Sequence, residues 1–200
     1  MLYALTDFLV VIGVAIAVWR IWHQRPDSPT VNLLIGLSAF ALAATIGTVR
    51  FATGAIDALQ AQHSYWSAFA GVSGLLLIAI SSVRLTWLSG RRHRLDQGIL
   101  VALIAGYFGA SAVLSATMIA PIALLLGLSS TAWLAWRQNW RPALFWLASW
   151  LLLIFASTAI GSLREEITFG IANWHIYHAL LAIWAVLVGE AVRASTSTRA

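Results

Sequence analysis

His175 and His178 stand three residues apart at the head of the last long apolar stretch, "NWHIYHALLAIWAVLVGEAV", which covers 173–192. Residues three apart on an α-helix share a face, so both imidazoles can aim at one point. A divalent metal accepts neutral imidazole nitrogens at about 2 Å, and zinc sites commonly take three or four ligands. Helix pairs at this spacing also serve di-iron bundles. His63, from a distant segment, is the candidate third imidazole. Carboxylates accompany the histidines: Asp7, Asp57, Glu165 and Glu166. Asp57 or Glu166 is the candidate proton shuttle, since a carboxylate beside a metal-bound water can accept its proton. Glu165 is expected to be a solvated neighbour of Arg164. Asp7 lies about one turn inside an apolar helix, where a charge costs several kcal/mol unless partnered. It is expected to face the bundle, orienting a ligand or balancing the metal's charge from behind the histidines.

The elements that must position these residues are membrane helices. The chain has 200 residues, 60% hydrophobic and 10% charged, against about 25% charged in a soluble domain. A bilayer core takes about 20 apolar residues per helix. Seven stretches qualify: 4–22, 31–51, 65–88, 98–117, 120–136, 143–161 and 174–192. The fourth and fifth share one apolar run, in which Pro121 offers a place to turn. The expected fold is all-α, a polytopic seven-helix transmembrane bundle over 1–193, with 194–200 ("ASTSTRA") as a disordered cytoplasmic tail. Gly98, Ala102, Gly106 and Ala110, at steps of four, predict a close-packing ridge on the fourth span.

Arginine distribution sets the orientation. With the N-terminus outside, Arg20, Arg25, Arg84, Arg91, Arg92, Arg94, Arg137, Arg141, Arg193 and Arg199 fall inside, and only Arg50 and Arg164 fall outside. The expectation is N-out, C-in, in a bacterial-type inner (plasma) membrane, with the first span kept as an anchor because no basic segment precedes it. Trp19, Trp22, Trp87, Trp136 and Trp140 mark the inner interface, and Tyr3, Tyr65, Trp66 and Trp174 the outer one. Asp27, Asp96, Glu190, His23 and His93 fall at the inner surface, where a solvated, charge-balancing role is expected. Glu190 and Arg193 are spaced to pair. There is no cysteine and no lysine, which excludes thiolate sites and a retinal Schiff base. Basic residues punctuate apolar runs instead of covering a soluble face, so nucleic acid is not an expected partner.

Seven helices with the N-terminus out, a histidine near the outer end of the second or third span, and a histidine pair opening the seventh resemble the superfamily of alkaline ceramidases and progestin/adiponectin-type receptors. That resemblance implies a zinc ion held by His63, His175 and His178, with Asp57 near the zinc-bound water and Asp7 as the acid of the first span. It implies a hydrolase of lipid amides. The chain departs from the family in spacing its last pair HxxH instead of HxxxH. Asp57 also precedes His63, and Leu59 stands where the family has serine.

Three functions follow as expectations. The first is zinc-assisted hydrolysis of a lipid amide or ester at the outer leaflet, where the metal lowers the pKa of its bound water and polarises the carbonyl. The second is haem binding, with His63 and either His175 or His178 as axial ligands and Arg50 and Arg164 on the propionates. The third is a proton- or ion-coupled transporter, since intramembrane acids and histidines mark such paths. The polar groups gather on one side, however, and a conduit needs stations across the midplane.

Overall fold

The computed structural model describes residues 1–24, 27–87, 93–110, 116–161, 167–168 and 170–197. Among the described residues the protein is nearly all helical (88%), with seven helices. They are α1 (Leu2–Trp22), α2 (Ser28–Thr53), α3 (Gln60–Thr86), α4 (His93–Ala110), α5 (Ala116–Trp136), α6 (Trp140–Ile160) and α7 (Asn173–Ser197). All but α4 are long and apolar enough to cross a membrane, which makes this a multi-pass integral membrane protein. Ile167–Thr168 and Ile171–Ala172 form a two-residue antiparallel hairpin before α7.

Several helix limits differ from the sequence reading, each for a local reason. α3 begins five residues before position 65, because its first turns are polar and lie at one end of the bundle. Pro121 sits inside α5 and does not mark the turn; as the sixth residue of that helix it lies close to the end where amide hydrogens have no partner one turn back. On the ridge expected on α4, a methyl added at Gly98 or Gly106 would meet nothing within 4 Å among the described residues, and the Ala110 side chain lies outside them. The expected tail is helical to Ser197. Ser195 accepts a hydrogen bond from Trp146 Nε1 at 3.2 Å, and the Thr196 hydroxyl bonds Gln24 Oε1, so tertiary contacts hold the last turn.

In lipid, helices associate by close packing instead of by escape from water. α1 and α7 show this most clearly. A Cβ on Gly13 would meet the Ala182 backbone at 2.8 Å, and one on Gly189 would meet Ala17 Cα at 2.8 Å. Partners climb both helices together, from Thr6 with His175 through Gly13 with Ala182 to Gln24 with Thr196. The two helices therefore run parallel. This register brings the head of α7, with its histidines, level with Asp7. α2 runs the opposite way and places Gly47 and Arg50 at the same end.

At the far end the charges pair. Arg84 donates to Asp96 from Nε at 2.7 Å and from Nη2 at 3.2 Å, and Asn32 donates to the Asp96 carbonyl at 2.8 Å. Asp96 is thus buried in an ion pair and is not a solvated charge. Arg193 bonds Glu190 at 2.7 Å, as the spacing anticipates, and Arg20 joins the same carboxylate. Asp27 caps α2, accepting from the Thr30 amide at 3.2 Å, which satisfies one of that helix's leading donors. Between the two ends the interior is sealed by Leu37, Ile78, Trp146, Trp150, Trp184 and Val188.

Candidate functional site

Asp7 is completely buried, and neighbouring helices supply its partners. Trp174 Nε1 donates to Asp7 Oδ1 at 3.1 Å. His178 Nε2 lies 3.3 Å from the same oxygen. On the other side Asp7 rests against Gly47, where an added Cβ would overlap Oδ2 and lie 3.0 Å from Cγ. The same Cβ would lie 3.1 Å from His63 Cδ2. Gly47 thus leaves room for a carboxylate between α1 and α2, with the His63 ring alongside.

The hydrogen positions on His178 follow from its partners. Nδ1 lies 2.8 Å from the Trp174 carbonyl oxygen. A carbonyl only accepts, so Nδ1 carries a hydrogen. Nε2 then faces Asp7 Oδ1, and that contact is attractive only with a proton between the two atoms. Either imidazolium meets carboxylate or neutral imidazole meets carboxylic acid. Asp7 and His178 together hold one exchangeable proton in a buried setting, where such a contact is stronger than in water.

His175 does not join them. Its Nδ1 lies 3.1 Å from Thr6 Oγ1, and its ring packs on Tyr3 with centroids 4.5 Å apart. Thr6 can donate its hydroxyl to the Tyr3 carbonyl at 3.1 Å. The histidine pair does turn one face to α1, but Thr6 and Asp7 are consecutive on that helix. Consecutive helical residues diverge by about 100°, and they draw the two rings apart.

His63 is half-buried on α3, 6.2 Å from the Trp174 ring centroid to centroid, while Trp174 stacks on His178 at 4.3 Å. Among the described residues no group of three or more His, Asp or Glu side chains is close enough to hold a metal ion. A zinc ion therefore does not fit the arrangement of His63, His175 and His178. Iron meets the same obstacle at His178, whose two ring nitrogens face Trp174 and Asp7. Asp57 is exposed in the turn between α2 and α3 and does not line the site. Glu166, Glu165 and Arg164 lie outside the described residues.

His63 and His178 do share a cavity of about 510 Å³. Arg50, Trp174 and Tyr177 line it beside them, and Gln60, Ser64 and Ser67 form an exposed polar rim. Val10, Phe40, Ala43, Ala44 and Leu181 form an apolar wall, with Ala70 and Gly71 on α3. Ala70–Gly74 is a π-helical turn. Such turns insert an extra residue into a helix and recur at functional sites; here one borders the cavity.

Three contributors escaped the sequence reading. Trp174 was assigned to the interface, yet it is buried and donates to Asp7. Its spacing of four from His178 is the signal, since that puts both on one face. Arg50, assigned to the outer surface, is completely buried with Phe51 4.7 Å from its guanidinium. Gly47 has no sequence signal, because the close approach depends on how α1 and α2 meet. Comparison with protein-family models, with curated proteins and with solved structures gives no match to this chain.

Proposed function

We propose that this chain is a membrane protein that takes an amphiphilic molecule into the cavity beside Asp7, and that the Asp7–His178 pair exchanges a proton with that molecule's polar head. The observation that carries the reading is a proton-holding acid–imidazole contact whose histidine lines a cavity with one polar and one apolar wall. Ligand sites of this kind occupy roughly 300–1,000 Å³ and combine an apolar lining with a few convergent polar groups. A buried titratable pair in a membrane helix is a functional-site candidate by default.

A transmembrane conduit is less well supported. Between the two ends the interior is filled by tryptophan and aliphatic side chains, and toward the far end the hydroxyls of Ser82 and Ser130, 2.9 Å apart, bond each other or backbone. Zinc-dependent hydrolysis of a lipid amide or ester requires His175 to leave Thr6 and His178 to leave Asp7. The arginine asymmetry supports an outer-leaflet position for the cavity, with the N-terminus out.

The test is extraction of the protein purified in a synthetic detergent, followed by mass spectrometry of bound amphiphiles and metal analysis with a visible spectrum. Ser67→Trp, at the exposed rim, serves as the blocked control. The expected result is an amphiphile retained by the wild type and lost from Ser67→Trp. Stoichiometric zinc, or a haem absorption band, would overturn the reading in favour of a metal centre.

A further inference from the structure

Resting on that reading, we infer that the amphiphile is a long-chain carboxylic acid held in its uncharged, protonated form, with the Tyr177 hydroxyl as the group that binds its head. The charged neighbours of the cavity are already committed. Arg50 of α2, His63 of α3 and His178 of α7 border it, and each is engaged by other groups of the protein. Arg50 is completely buried. His178 turns one ring nitrogen to the Trp174 carbonyl and the other to Asp7 of α1, which stands behind it and does not line the cavity. Hydroxyls remain to meet a ligand. Ser64 accepts from Gln60 Nε2 at 2.9 Å and keeps its own hydrogen to give. Among the described residues nothing bonds the hydroxyls of Ser67 and Tyr177, and that of half-buried Tyr177 is not sealed off.

Tyr177 has the position and the chemistry for this role. It lines the cavity one residue before His178, with its ring edge-on to that imidazole and centroids 5.4 Å apart. Gly47 meets His63 and Gly36 meets Gly74, so α3 runs opposite to α2 and in the direction of α7. His63 lies beside Trp174, and Ser67 and His178 follow four residues further along each helix. Ser67 and Tyr177 therefore flank the cavity at similar depth, with Val10, Phe40 and Leu181 as apolar wall for the chain. A tyrosine hydroxyl removed from bulk water normally finds a partner, and a ligand oxygen can be one. A phenol both donates and accepts, as does a protonated carboxyl. A carboxylate would shed its hydration with no accessible cation in exchange, and desolvating an ion costs far more than desolvating a neutral polar group. The protonated acid also carries the proton that the Asp7–His178 pair would exchange, which an ester does not.

Binding to the full chain purified in neutral detergent tests this. The probes are hexadecanoate labelled with carbon-13 at the carboxyl, hexadecanol and methyl hexadecanoate as neutral heads, and hexadecyl phosphate as an anion. Burial among uncharged groups disfavours the carboxylate and raises the carboxyl's titration midpoint. The bound carboxyl should therefore titrate at least about one pH unit, or tenfold, above the same probe with Ser67→Trp, where it sits only in the micelle. At neutral pH both neutral probes should bind at least about tenfold more tightly than hexadecyl phosphate, which is about 1.4 kcal/mol. Tyr177→Phe removes a hydroxyl that no described residue bonds, so thermal unfolding should stay unchanged while affinity for hexadecanol falls about three- to tenfold. A bound midpoint at or below the micellar one, or hexadecyl phosphate bound as tightly as hexadecanol, refutes the uncharged head. The amphiphile cavity then still stands if Ser67→Trp abolishes binding. Unchanged affinity in Tyr177→Phe refutes the role of its hydroxyl. Binding that Ser67→Trp leaves intact for every probe refutes both this inference and the cavity reading.

Discussion

Replacing Gly47 by alanine sets two physical effects of opposite sign against each other. By helix propensity alone, Gly→Ala in a helix interior stabilises by about 0.5–1 kcal/mol. In this protein the new methyl would overlap Asp7 Oδ2 and lie 3.0 Å from Cγ. The carboxylate must turn away, and it is pinned by Trp174 at 3.1 Å and His178 at 3.3 Å. Hydrogen bonds to a charged group contribute about 1.5–3 kcal/mol each. Losing both therefore costs roughly 3–6 kcal/mol, from which the propensity gain is subtracted, leaving a destabilisation of about 2–5 kcal/mol. The assay is reversible unfolding in mixed micelles, run as a double-mutant cycle with Asp7→Ala. The clash needs both side chains, so Gly47→Ala should cost little once Asp7 is gone. The coupling should exceed about 1 kcal/mol, above the scatter of independent sites. If Gly47→Ala is neutral or stabilising in the wild-type background, Asp7 is not lodged against α2 and the site as described is wrong.

Other predictions concern neighbouring contacts. Trp174→Phe keeps the ring and removes the donor to Asp7, so it should destabilise by about 1.5–3 kcal/mol in the same unfolding assay, and Asp7→Asn should reduce that difference. At the far end, Arg84→Met alone should cost about 3–5 kcal/mol by stranding Asp96, whereas Arg84→Met with Asp96→Leu should unfold closer to wild type. Amide hydrogen exchange should show protection through Ser195, whose hydroxyl is tied to Trp146; rapid exchange from Ala194 onward would restore the free-tail expectation. A reporter active only in the cytoplasm, fused after Ala200, should be active; a silent fusion with intact expression would invert the orientation.

The spans were legible because twenty-residue apolar stretches leave few alternatives to membrane helices. Asp7 was legible as a partnered acid, because an isolated charge there is costly. What the sequence did not carry was the angular position of residues on facing helices. His175 and His178 do share a face, but that face meets two consecutive residues, Thr6 and Asp7, which separate the rings. Trp174 looked like an interfacial anchor because tryptophan favours that depth; the register of α1 on α7 instead turns its indole inward. Asp96 looked like a solvated charge because it borders an arginine-rich turn, and Arg84 counted only toward the orientation. Their burial depends on α3 and α4 meeting, with Asn32 of α2 donating to the Asp96 carbonyl, a long-range contact with no local signature.

The central claim is that the cavity between α2, α3 and α7 holds an amphiphile beside the Asp7–His178 pair. Photocrosslinking of the membrane-embedded protein with a hexadecanoate analogue carrying its photoreactive group near the carboxylate, followed by peptide mapping, tests it directly. The account predicts label on Gln60–Gly71 and on Trp174–Leu181, competed by hexadecanoate and lost in Ser67→Trp. Label spread evenly over lipid-facing residues such as Leu125, Leu144 and Ile183, unchanged by Ser67→Trp, would contradict it.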